Sequence, residues 1–101
     1  MKLVLAPLAA QDLREAYGHI AEDSSAAADE VLIRITNTLA LIASGLVSGP
    51  DVTLRDGRRV KSWAVPPFRI YYRAHGEELQ VVRIYHQARR PIERRPRRRR
   101  R

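Results

Sequence analysis

An α+β fold of order β-α-α-β-β-β is predicted, with a helical hairpin packed on one face of a small antiparallel sheet and a disordered basic C-terminal tail. Three observations predict it. Between positions 60 and 88, a run from Phe68 to Tyr72 and another from Leu79 to Tyr85, both rich in β-branched and aromatic residues, flank His75-Gly76-Glu77. That is the pattern of a β-hairpin whose glycine supplies the positive φ of the turn. Between positions 9 and 42, apolar residues recur at spacings of three and four in two successive segments, the period of helices that bury one face. From Arg89 onward, nine arginines stand against one acid, Glu93. Such a segment buries too little surface to offset its ordering entropy. One domain over residues 1–90 and an arginine-rich tail over 91–101 are therefore expected.

In chain order, Lys2-Leu3-Val4-Leu5 suffices for one strand. Pro7 suits the first turn of a helix, where its missing N–H has no partner to lose, although Ala6 is a poor cap. Ala9, Leu13, Ala16, Tyr17 and Ile20 mark one helical face, with Asp12, Glu15 and Glu22 outside it. Gly18 in mid-helix costs about 1 kcal/mol against alanine, so a close packing partner is expected there. Asp23-Ser24-Ser25 ends this helix and caps the next. Ala28, Val31, Leu32, Ile35, Leu39 and Ile42 form the second stripe, and Gly45 suits the position just past its end. So short a link between two amphipathic helices makes them an antiparallel pair.

The following stretch is mainly loop, with at most a short strand around residues 52–54, not counted in the order above, and a turn at Asp56-Gly57. Residues 60–65 form a further strand, stopped by Pro66-Pro67, which cannot donate to a ladder. Beyond it, Arg69, Tyr71 and Arg73 fall on one face of a strand, and Phe68, Ile70 and Tyr72 on the other. Trp63 is read as a core filler.

Composition narrows the function. No apolar run approaches the roughly 18 residues of a membrane span, and Asp12 and Arg14 interrupt the first apolar stretch. Neither a membrane helix nor a signal peptide is expected. Without cysteine there are no disulfides or thiolate metal sites, and three scattered histidines make no zinc site. No metal or other cofactor is expected, and a cytoplasmic location fits. The net charge of +8 belongs to the tail, because residues 1–88 hold ten basic and ten acidic side chains. Within them, residues 1–54 carry three bases against seven acids and residues 55–88 carry seven against three. A polyanion is therefore drawn to the sheet and tail and not to the helices.

Two pieces carry a resemblance: LAPLAAQDLREAYGHIAEDSSAAADEVLIRI, residues 5–35, and FRIYYRAHGEELQVVRIYHQARR, residues 68–90. In the first, Asp12-Leu13 and Tyr17 lead to Ile20-Ala21-Glu22 and an alanine-rich recap. In the second, Arg69 precedes Tyr72-Arg73, and Arg83 stands three before His86. In this order and spacing they resemble the ParE/RelE superfamily of toxins from bacterial type II toxin–antitoxin pairs. Ala6 departs from the capping serine frequent in these toxins, and the arginine run after Arg95 has no place in the family pattern.

The resemblance implies one of two activities. The ParE side inhibits DNA gyrase and is neutralised by a cognate ParD-like antitoxin, a ribbon-helix-helix DNA binder. The RelE side cleaves mRNA on the ribosome. This body is neutral and has only two lysines, Lys2 and Lys61, whereas the nuclease side carries dense basic charge over its fold. The reading favours the ParE side, a gyrase inhibitor and not an enzyme. A third class is a non-toxic nucleic-acid-binding module whose tail supplies non-specific affinity.

Candidate residues follow from these readings. A nuclease needs a proton-transfer group and cations for the phosphorane charge. His86 would fill the first role and Arg69 and Arg83 the second, with Tyr85 or Tyr71 stacking a base. The competing roles are structural, with His86 closing the sheet and Arg83 pairing with Glu77 or Glu78. In the toxin reading, antitoxin contact is expected at Tyr17 and Ile20 and at Arg58, Arg59 and Lys61, which would meet acidic residues. Target contact is expected at Arg69, Tyr71, Arg73, Arg83, His86, Arg89 and Arg90. No membrane partner is expected, and the tail would add non-specific nucleic-acid contact. Removal of residues 91–101 is expected to change stability by no more than about 0.5 kcal/mol.

Overall fold

Strand β1 (Lys2–Leu5) passes through Ala6 directly into helix α1 (Pro7–Ala21), with Pro7 in the first turn and no side chain capping it. Helix α2 (Ser25–Ala43) begins at Ser24, whose hydroxyl accepts from the Ala27 N–H at 3.1 Å. It ends at Gly45, which takes φ +81°, as expected. The Gly45 N–H donates to the Ile42 carbonyl and the Leu46 N–H to the Leu41 carbonyl, closing the free carbonyls of the last turn. The Tyr17 hydroxyl donates to Asp29 at 2.5 Å and ties the two helices together. The computed structural model describes residues 1–94.

The remaining strands are β2 (Asp51–Thr53), β3 (Arg59–Val65), β4 (Phe68–His75) and β5 (Glu78–His86), in one sheet of order β1-β5-β4-β3-β2. The β4–β5 hairpin closes through Gly76 at φ +59°. One expectation is corrected: the sheet is mixed, because β1 pairs with β5 in parallel, Lys2 beside Glu78 and Leu5 beside Val81. The short β2 accounts for this. Seven elements joined by six reversing connections leave the first and the last pointing the same way.

The helices cover one face of the sheet. Ala9 of α1 and Ile35 and Leu39 of α2 close on Phe68, Ile70, Tyr72, Leu79, Val81 and Ile84, with Trp63 partly buried at the edge of this core. Truncating any of its large members to alanine costs about 2–5 kcal/mol. A β-bulge lies at Val82, since Tyr71 pairs with Arg83 and Tyr72 with Val81. It resets the alternation of β5, so that Val81 and Ile84 both reach the helices while Val82 joins Leu54, Val60 and Tyr71 in a second cluster on the opposite face.

Two further expectations change. Nothing lies within 4 Å of a Cβ built on Gly18, so no close partner explains that glycine. The close approach occurs instead at Gly49, where an added Cβ would stand 1.7 Å from the Ser62 carbonyl oxygen. Its N–H donates to the Tyr72 hydroxyl at 2.7 Å. Lastly, residues 91–94 are ordered against the sheet. Glu93 forms a bridge with Leu54, the Arg55 N–H donates to the Ile92 carbonyl and the Arg94 N–H to the Thr53 carbonyl, both at 2.7 Å. Ile92 packs on the second cluster. An apolar patch and an open strand edge were available to bind this segment, which composition alone could not reveal. The disorder expected of residues 95–101 lies outside the described residues.

Candidate functional site

Where β1 stops pairing, β5 presents backbone to α1. The Ile84 N–H faces that gap and a buried donor must find an acceptor. Asp12 supplies it at 3.0 Å. A carboxylate buried to 8% exposure in turn needs a cation. The Arg83 guanidinium grips both its oxygens, Nε at 2.7 Å and Nη2 at 2.8 Å, a bidentate pairing that also holds the guanidinium more firmly protonated. Asp12 therefore faces inward, and Arg83 pairs with Asp12 and not with Glu77 or Glu78. The two lie 71 residues apart in sequence, and no local periodicity relates them.

Beside this pair runs a groove of about 260 Å³ between α1 and the far end of β5. Ala16, Ile20, Phe68 and Ile84 form its apolar floor, and Glu15, His19, His86 and Arg89 its rim. The His86 ring stands edge-on to Phe68 at 5.2 Å. Its Nδ1 accepts from the Ala88 N–H at 3.0 Å, which leaves Nε2 as the protonated nitrogen of the neutral ring.

The helix-free face of the sheet holds the other candidates. Tyr71 is 4% exposed and its hydroxyl donates to Glu93 at 2.5 Å. Burial first, and then that hydrogen bond, raise its pKa well above the ordinary phenol value. The Tyr85 hydroxyl donates to the Arg90 carbonyl at 2.6 Å, with the Arg83 and Arg89 guanidiniums over its ring at 5.2 and 4.9 Å. Tyr71 is too buried to stack a base, and two guanidiniums already lie against the Tyr85 ring. Arg69 donates to the Ser62 hydroxyl at 3.1 Å and Arg73 to Gln80 at 3.0 Å, and both guanidiniums keep donors to spare.

The four nuclease candidates are thus not assembled into one cleft. His86 lines the groove under α1, Arg83 is committed to Asp12, and Arg69 and Tyr85 line a separate cavity of about 190 Å³. The antitoxin candidates divide as well. Ile20 floors the groove and Tyr17 holds Asp29, which raises the Tyr17 pKa. At the opposite corner Arg58 pairs with Asp56 at 2.8 Å and Lys61 with Asp51 at 3.2 Å, while Arg59 and Arg73 line a cleft of about 320 Å³.

The family model described as "ParE toxin of type II toxin-antitoxin system, parDE" matches residues 3–91. The chain belongs to the ParE toxin family. Among solved structures, the ParE-type fold seen here is similar to a chain of the chromosomal ParDE toxin–antitoxin system from P. aeruginosa. That likeness has a TM-score of 0.69 at 22% identity and covers 85% of this chain and 95% of that one. A search of curated proteins returned no match. No helix of this ParE-type toxin, among the described residues, is long and apolar enough to cross a membrane.

Proposed function

We propose that this ParE-type toxin inhibits DNA gyrase in the cytoplasm and is neutralised by a cognate ParD-like antitoxin. The observation that carries the reading against mRNA cleavage is the dispersal of His86, Arg69, Arg83 and Tyr85. Proton transfer and charge stabilisation must converge on one phosphate. Here the histidine and the guanidiniums are held apart or already engaged. Inhibition by binding asks for no such convergence.

The antitoxin would lay an apolar side chain into the groove at Ile20 and Phe68. Its acidic residues would meet Arg58, Arg59 and Lys61, of which Arg59 makes no ion pair among the described residues. Purified protein is expected to block gyrase supercoiling or trap cleaved DNA, and His86→Ala to leave growth arrest intact. Codon-phased mRNA cleavage on ribosomes, lost in His86→Ala, would move the protein to the nuclease branch. Hydrogen exchange with the antitoxin should protect α1 and β3. Protection of neither would remove the docking scheme.

A further inference from the structure

The helix-free face of the sheet is richer in arginine than an ordinary solvated face, which intersperses both signs of charge, and its acids are Glu78, at the hairpin end beside His75, and Glu93. Arg69 and Arg73 rise from β4, and Arg89 and Arg90 follow β5. The 190 Å³ cavity on this face is lined by Arg69 and Arg89, and the carboxylate that enters it, Glu93, is already engaged by the Tyr71 hydroxyl. At the corner of the sheet, Asp51 and Asp56 are neutralised by Lys61 and Arg58. The helices on the opposite side are acidic, since residues 7–43 carry six acids against two bases. Such a charge division orients a polyanion toward one face of the sheet.

Which polyanion is decided by the aromatic residues. Proteins that hold single strands stack bases on exposed rings. On this face Tyr71 is buried and Tyr85 lies beneath two guanidiniums with its hydroxyl engaged. What the surface offers is guanidinium donors without a stacking platform, the chemistry of phosphate contact on a base-paired duplex.

We infer that the outer sheet face, through Arg69, Arg73 and Arg89, docks on the phosphate backbone of duplex DNA. This deepens the gyrase reading, because it makes the DNA itself, and not only the enzyme, a surface that the toxin meets. It rests on that reading for its biological setting alone.

The test contains no gyrase, so it succeeds or fails separately from supercoiling inhibition. Full-length protein is titrated against a labelled 20-base-pair duplex at four salt concentrations, and log affinity is plotted against log salt. Each phosphate neutralised contributes about 0.9 to the slope, so R69Q/R73Q/R89Q is expected to flatten it by about 2.7. The charge-conserving R69K/R73K/R89K should keep the slope, which separates lost charge from lost fold. R14Q/R34Q, on the two helices, should leave it unchanged. An unchanged slope in the glutamine triple would assign DNA binding to other arginines and overturn the proposal. An equal fall in R14Q/R34Q would reduce it to diffuse attraction and overturn it too. Tighter binding of single-stranded DNA or RNA than of duplex would show that the occupant is wrong.

Discussion

Asp12→Ala tests the internal logic of the fold most directly. The substitution leaves the Ile84 N–H without its acceptor and the Arg83 guanidinium without its counter-ion, although Arg83 keeps 20% side-chain exposure. Removing one partner of a buried pair costs about 3–5 kcal/mol. Partial exposure lets the guanidinium recover hydration, which lowers the expectation to about 2–4 kcal/mol. In a domain of this size each kcal/mol shifts Tm by about 4–8 °C, so a fall of at least about 8 °C is expected. Asp12→Asn keeps an acceptor for Ile84 but loses the charge and one of the two acceptor oxygens facing Arg83, and should cost less than Asp12→Ala. Urea denaturation gives the free energies, and a double-mutant cycle with Arg83→Ala should return a coupling of about 1–3 kcal/mol. A cost below about 0.5 kcal/mol for Asp12→Ala, or additive single effects, would refute the claim that this carboxylate seals the end of β5.

Other outcomes follow from neighbouring features. Gly49→Ala forces a Cβ against the Ser62 carbonyl and should destabilise by at least about 1–3 kcal/mol, whereas Gly18→Ala meets nothing and should stabilise by about 0.5–1 kcal/mol. Chemical denaturation of the two variants checks both signs. The Tyr71 pKa is raised on folding, so its contribution to stability is complete below the unfolded value of about 10 and is lost as pH rises above it. Melting curves from pH 8 to 11 should show that loss and should flatten in Tyr71→Phe, leaving the smaller share of Tyr17, which has the same sign. Truncation after Arg90 removes Ile92, the Glu93 carboxylate and the pairing with residues 53–55. Its expected cost rises from about 0.5 to about 1.5–3 kcal/mol, measurable by thermal melting against Ile92→Ala.

Local signals in the sequence determined much of this protein. The stripe through Ile35, Leu39 and Ile42, the cap at Ser24, the stop at Gly45, the hairpin turn at Gly76 and the alternation of Phe68, Ile70 and Tyr72 all reflect interactions within a few residues. They hold in the structure because propensity, capping and period-2 burial act over that same range. The concentration of positive charge on the sheet half was equally legible, since a sum over residues needs no fold.

Tertiary structure alone decided the rest. The parallel placement of β1 depended on whether three residues, Asp51–Thr53, counted as a strand. The partnership of Asp12 with Arg83 arose because β1 is too short to cover β5, leaving an N–H that a helix side chain had to satisfy. The burial of Tyr71 and the ordering of Ile92 and Glu93 came from a second apolar cluster on the face without helices, which no single segment announces. Those contacts join residues far apart in the chain, and the free energy that selects them exists only once the surfaces are brought together.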